Sequence, residues 1–150
     1  MTLENLLAIH RLQAFEATPG GVLRLLAAAE RNLADARLSG LSNDNRFDAA
    51  YKTIMQCAMI GLWAHGYRPV TSQPGHHQTA LQTLPKTLGL AADDVIVLDA
   101  LRRQRNLNDY EGDPVTDAAV RECQRQAEAL LAHTRQWLKN HRPGLLAENS

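Results

Sequence analysis

Arg102, Arg105, Asn106, Asp109 and Tyr110 fall within one short stretch, RRQRNLNDYEG over 102–112, directly after the apolar run VIVLDAL. Arg102, Asn106 and Tyr110 recur at i, i+4 and i+8, so on a helix they form one stripe. Arg105 stands four residues after Leu101 and seven after Leu98, continuing the face those leucines would bury. A guanidinium keeps its charge at any working pH and binds phosphate through paired hydrogen bonds. Asn106 adds a neutral donor and acceptor, and Tyr110 a phenol that can stack on a base or donate. These residue types suit an anion, above all a phosphate ester. The same spacing also fits a plainer arrangement, in which Arg105 lies across the core edge and pairs with Asp48 or with Asp109.

Arg46 is a second candidate anion ligand, at the start of a helix, where the macrodipole favours negative charge. Asp44 and Asp48 beside it also permit a local salt bridge. The histidines form no metal set. His76 and His77 are adjacent and would point about 100° apart on a helix. His65 could join them only if the intervening loop folded back, and no Cys/His/carboxylate cluster completes a zinc site. His76 reads as a helix cap, His65 as a favourable charge at a helix C-terminus, and His10, His133 and His141 as surface or boundary residues. No phosphate loop, dinucleotide fingerprint, nucleophile elbow or His-Glu-x-x-His motif occurs. No metal or cofactor is expected.

The elements that must position these residues are helical throughout. A first helix is predicted over about Leu3–Ala17, ended by Thr18-Pro19-Gly20-Gly21. A second follows, with Val22, Leu25, Leu26, Ala29, Leu33 and Ala36 as its apolar stripe. After the break at Leu38–Leu41, Ser42 or Asn43 can cap a third helix, about Asp44 to His65. Its apolar residues lie nearly all round, which predicts a place in the middle of a bundle, and Gly66 supplies the stop. Tyr67–Gly75 reads as a loop and about His76–Leu88 as a short helix kinked or ended at Pro85. Asp93 or Asp94 opens the helix that runs to about Tyr110. The last helix, about Thr116 to Asn140, buries Val120, Cys123, Ala127, Leu130, Thr134 and Leu138, and a frayed tail follows Pro143. The expected fold is all-α, an up-and-down bundle of five to six helices, with residues 1–142 as one domain.

Composition bounds the partners. The 150 residues are 45% hydrophobic, enough for one core, and 16 basic residues balance 16 acidic ones. Binding of duplex nucleic acid by overall charge is therefore excluded, and any nucleic-acid contact must be a local patch. Cys57 and Cys123 sit in apolar helical patterns and read as free buried thiols of a reducing compartment. No secretory leader and no bilayer-spanning run is found, so a soluble, cytoplasmic protein is expected.

RNLNDY over 105–110 resembles the signature of the HEPN superfamily of helical bundles: an arginine, a polar neighbour, a short spacer and a histidine. RFDAAYKTIMQCAMIGLWAHGYRP (46–69) is similar to the family's long core helix. GHHQTALQTLPKTLGL (75–90) resembles its short following helix, and DDVIVLDALRRQRNLNDYEG (93–112) its motif helix. The resemblance covers about residues 42–140, with the helices of 3–38 as an N-terminal addition or as part of a fuller bundle. It implies a homodimer with a composite cleft, RNA or a nucleotide as ligand, and metal-independent ribonuclease ancestry. It further implies a toxin–antitoxin or defence setting, with a nucleotidyltransferase-type antitoxin as partner. Arg105 and Asn106 match the motif, whereas Tyr110 stands where the histidine belongs. A phenol titrating near 10 is a poor base at neutral pH. The expected function is thus RNA or nucleotide binding through Arg102, Arg105, Asn106, Tyr110 and Arg46, with ribonuclease activity weak or lost. If chemistry survives, Arg105 and Tyr110 carry it, as in an active ribonuclease toxin; a purely protein-binding helical partner is the third reading.

Overall fold

In the computed structural model, residues 2–147 are described. They form an all-α bundle with one small two-stranded sheet: α1 (Leu3–Ala8), β1 (Leu12–Ala14), α2 (Pro19–Ala36), α3 (Asn43–Ala64), β2 (Tyr67–Pro69), α4 (His76–Gln82), α5 (Leu84–Thr87), α6 (Ala92–Glu111), α7 (Asp117–His141) and a 3₁₀ turn, Pro143–Leu146. No helix among the described residues is long and apolar enough to cross a membrane.

The bundle is built around α3. Its 22 residues span about 33 Å at 1.5 Å per residue. Phe47, Ala50, Ile54, Cys57, Ala58, Ile60, Gly61 and Leu62 are all wholly buried, as a helix apolar nearly all round requires. α2 and α7 flank α3 most extensively, and α4, α5 and α6 cover its remaining side. Ser42 caps α3, its Oγ accepting from Asn45 N at 3.2 Å, and Gly66 follows the helix at φ +88°. Gly61 marks the closest approach: a Cβ there would lie 2.7 Å from Thr87 Oγ1 and 3.0 Å from Leu88 Cγ, so α5 packs where no side chain fits. Cys57 and Cys123 are free and buried, and burial pushes both thiols up to about 12.

Five local expectations are corrected. The first helix stops at Ala8 rather than Ala17, because the chain turns at His10, whose φ is +62°, and runs on as a strand. Leu12 pairs with Pro69, Gln13 with Arg68 and Ala14 with Tyr67, so the start of the predicted 67–75 loop is the partner strand. Backbone pairing over three residues leaves no periodicity long enough to read. Thr18-Pro19-Gly20-Gly21 opens α2 instead of ending α1: Thr18 Oγ1 accepts from Gly21 N at 3.0 Å, and Pro19 takes the first helical position, where its missing N–H costs nothing. α6 is capped at Ala91, with Asp93 and Asp94 inside its first turn, where carboxylates favour the dipole. The expected frayed tail is a 3₁₀ turn over 143–146 that buries Leu145, while 148–150 lie outside the described residues.

Candidate functional site

α6 positions the arginine stripe. Of its 20 residues only Leu98 and Leu101 are buried, so its second half stands proud of the core with its polar side chains beside α4. Arg102, Arg105, Asn106 and Tyr110 line one groove there, and Gly75, His76, His77 and Gln78 form its facing wall, enclosing about 300 Å³. The i, i+4, i+8 stripe thus shares a single concavity, with Arg105 set among its members. Arg46 does not join them. Its Nε donates to Ala36 O at 3.0 Å and caps the C-terminal end of α2, a carbonyl that also accepts from Gln124. No salt bridge joins Arg46 to Asp44 or Asp48 among the described residues; the free carbonyl is the stronger local demand.

The two groove arginines are held differently. Arg102 is largely buried, and its Nε donates to Asp99 Oδ1 at 2.8 Å; Asp99 also receives Arg103. Arg105 makes no hydrogen bond among the described residues. Its Nε lies 3.6 Å from Asp109 Oδ2, the expected i, i+4 ion pair, and its guanidinium lies 5.2 Å from the centroid of the Tyr51 ring. The aromatic floor fixes the arginine by cation–π attraction without using its five donors. An ion pair this long between partly exposed groups stabilises by about 0–1 kcal/mol, whereas charge-assisted hydrogen bonds to a phosphate contribute about 1.5–3 kcal/mol. The Asp109 pairing is thus weak enough to leave the Arg105 donors open to a stronger acceptor. Asn106 likewise keeps its amide unengaged, and Tyr110 is 87% exposed at the groove mouth.

The facing wall holds a histidine pair. Tyr51 Oη and His77 Nδ1 are hydrogen-bonded at 3.2 Å, and the His76 and His77 rings meet edge to face, 4.7 Å between centroids. Burial, then His76, Arg105 and Arg102, push His77 down to about 4, so it is neutral at pH 7. Burial pushes the Tyr51 phenol up to about 12, against the lowering pull of Arg105 and Arg102. Asp48 is raised by burial and by Asp109, and lowered by Arg105. The Arg105 charge thus acts on three neighbours, His77, Tyr51 and Asp48, alongside the carboxylates Asp99 and Asp109 that pair with the groove arginines.

His76, His77 and Gln78 are the groove residues that sequence reasoning misses, along with the role of Tyr51 beneath Arg105. His76 reads as a cap, but the N-cap of α4 is Gly75, and no side chain caps the helix. Tyr51 reads as plain core. The available signal is His76-His77-Gln78, three polar groups in a row opening a helix that must pack on α3. Two of the other histidines hold backbone: His65 Nε2 meets Thr87 O at 2.8 Å and His133 Nε2 meets Leu88 O at 2.6 Å. Among the described residues no three His, Cys, Asp or Glu side chains are grouped to hold a metal. No family model matches the chain, and no curated protein or solved structure matches it.

Proposed function

We propose that the protein is a HEPN-like helical module that binds RNA or a nucleotide through the groove between α4 and α6. The observation that carries this reading is Arg105: a charged fork with all its donors unspent, seated on a buried aromatic ring inside a concavity. Arg102, braced by Asp99, adds a second positive charge, Asn106 an amide, and Tyr110 a surface for a base to stack on. The contact is local, as the balanced net charge demands. Binding is expected to weaken with salt, because each phosphate neutralised on a single strand contributes about 0.7 to the log–log salt slope. Arg105→Ala should lower that slope by about this amount and weaken binding tenfold or more, read by fluorescence anisotropy of a labelled single-stranded oligoribonucleotide. An unchanged affinity and slope would remove the reading.

His76 and His77 opposite Arg105 favour a second reading, in which the groove also cuts RNA. Attack of a 2′-hydroxyl on the adjacent phosphorus needs a base to take the hydroxyl proton, a donor to the leaving 5′-oxygen, and positive charge beside the phosphoryl oxygens. His76 supplies the imidazole that Tyr110 lacks, and Arg105 supplies the charge. RNA cleavage in EDTA, lost on His76→Ala and on Arg105→Ala, is the expected result. Intact RNA at high enzyme concentration with several substrates would leave binding alone.

The homodimer belongs to the same proposal. Ile96 and Leu107 are large apolar side chains left exposed on α6, a helix that buries only two residues. A second copy laid on this face would cover them and bring two grooves together. A cytoplasmic toxin–antitoxin role with a nucleotidyltransferase-type partner is the setting in which such a module fits.

A further inference from the structure

A second cavity, of about 350 Å³, lies on the other side of the histidine pair. Leu25, Met55, Met59, Trp63 and Ala80 line it, with Gln56, Arg68 and Thr71 as polar members, and His76 and His77 line both this cavity and the arginine groove. The two are joined along their floor as well. Tyr51, Met55, Met59 and Trp63 follow one another at close to i+4 on α3 and so share one face, which runs about 18 Å from beneath Arg105 to the indole.

The chemistry changes along that floor. At the Tyr51 end stand two guanidinium groups; further along, thioethers and an indole present flat, polarizable surface. Polar groups in the second cavity are few, and some are engaged: the Arg68 guanidinium lies 5.0 Å from the Phe15 ring centroid, and His77 meets Tyr51 Oη. The Gln56 carbonyl accepts from Asn32 Nδ2 at 2.9 Å, which leaves its amide N–H groups without a partner among the described residues. Trp63 Nε1 is buried with no hydrogen-bond partner. The open Gln56 amide can donate to a ring acceptor of a flat ligand laid over the methionines and the indole face. An aliphatic chain would bring none.

We propose that this cavity receives the base of a nucleotide whose phosphate is held by Arg102 and Arg105, so that the two concavities form one nucleotide site divided by His76 and His77. The inference rests on the anion-binding reading of the groove and adds to it the base pocket. A single pocket of this size takes one unpaired base, either of a free nucleotide or of a flexible single strand, and rejects a stacked, paired one.

The test follows Trp63 emission in a Trp137→Phe background while adenosine 5′-monophosphate, ribose 5-phosphate, a single-stranded tetraribonucleotide and the corresponding duplex are titrated. The nucleotide should bind at least tenfold more tightly than ribose 5-phosphate and change Trp63 emission saturably, and the duplex should leave the emission unchanged. Filling the cavity with Ala80→Leu should abolish the advantage of the nucleotide while ribose 5-phosphate binds as before. Ala80 is fully buried, so Met59→Phe, at a half-buried position, gives the same reading if Ala80→Leu does not fold. Emission changed by the mononucleotide alone would assign the pocket to free nucleotides; a change with the tetranucleotide as well would assign it to unpaired RNA. Equal, Arg105-dependent affinities for the nucleotide and ribose 5-phosphate, with no change at Trp63, would overturn the base pocket and leave the phosphate groove standing. No binding of any of the four would overturn both.

Discussion

His77 is neutral in the fold because burial and three cationic or titratable neighbours disfavour its charge, and this has a consequence for stability. Its value falls from the ordinary 6.5 to about 4, so between those pH values the unfolded chain binds a proton that the folded one does not. Unfolding therefore takes up a proton across that window, and stability falls as pH drops from 6.5 towards 4. Above 6.5 the contribution is constant. His77→Gln removes the titration, so melting temperature should decline less steeply over pH 6.5–4 in the variant than in the parent protein. Parallel declines in the two proteins would show that His77 carries a proton in the fold after all. The side chain is half-exposed at the groove, so the difference is a modest one.

At the scale of elements, the contact of α3 with α5 rests on Gly61. Alanine favours a helix over glycine by about 1 kcal/mol. Here its methyl group would meet Thr87 Oγ1 at 2.7 Å, and overpacking of this kind costs about 1–3 kcal/mol. Gly61→Ala should therefore destabilise the protein despite its better propensity, as denaturant unfolding would record; a gain in stability would place α5 further from α3. Arg46→Ala should lower stability by about 1 kcal/mol through the loss of a hydrogen bond to Ala36 O. The long helices were legible because their apolar residues repeat over many turns: the core position of α3 and the stripe of α7 follow directly from spacing. The stripe on α6 was legible for the same reason. The β1–β2 pairing was not, since three-residue strands are set by a long-range partner rather than by local pattern. The histidine wall was hidden for a related reason. Which side chains face Arg105 depends on how α4 docks on α3 and α6, and nothing within 75–90 encodes that. Arg46 was misplaced because a free carbonyl on another helix outcompetes its own sequence neighbours.

For the molecule as a whole, charge is the organising fact. Sixteen basic and sixteen acidic residues leave no long-range field, so affinity for a phosphate must arise where arginines keep their donors unspent. Many of the protein's arginines are committed: Arg46 to Ala36 O, Arg142 to Ala64 O, Arg135 to Glu30, and Arg37 to Glu128 at 3.1 Å. Assembly on α6 is predicted at the same scale. Sedimentation should show a concentration-dependent dimer that Leu107→Asp dissociates, and a monomer throughout would leave each groove to act alone. The most direct test of the central claim compares two arginine deletions in one titration of single-stranded RNA. Arg105 faces the groove, whereas Arg125 is exposed on α7 and paired with Glu122, so the two variants lose the same charge from different places. The account predicts that Arg105→Ala weakens RNA binding tenfold or more, while Arg125→Ala leaves it within about twofold. Equal losses, or none with Arg105→Ala, would contradict it.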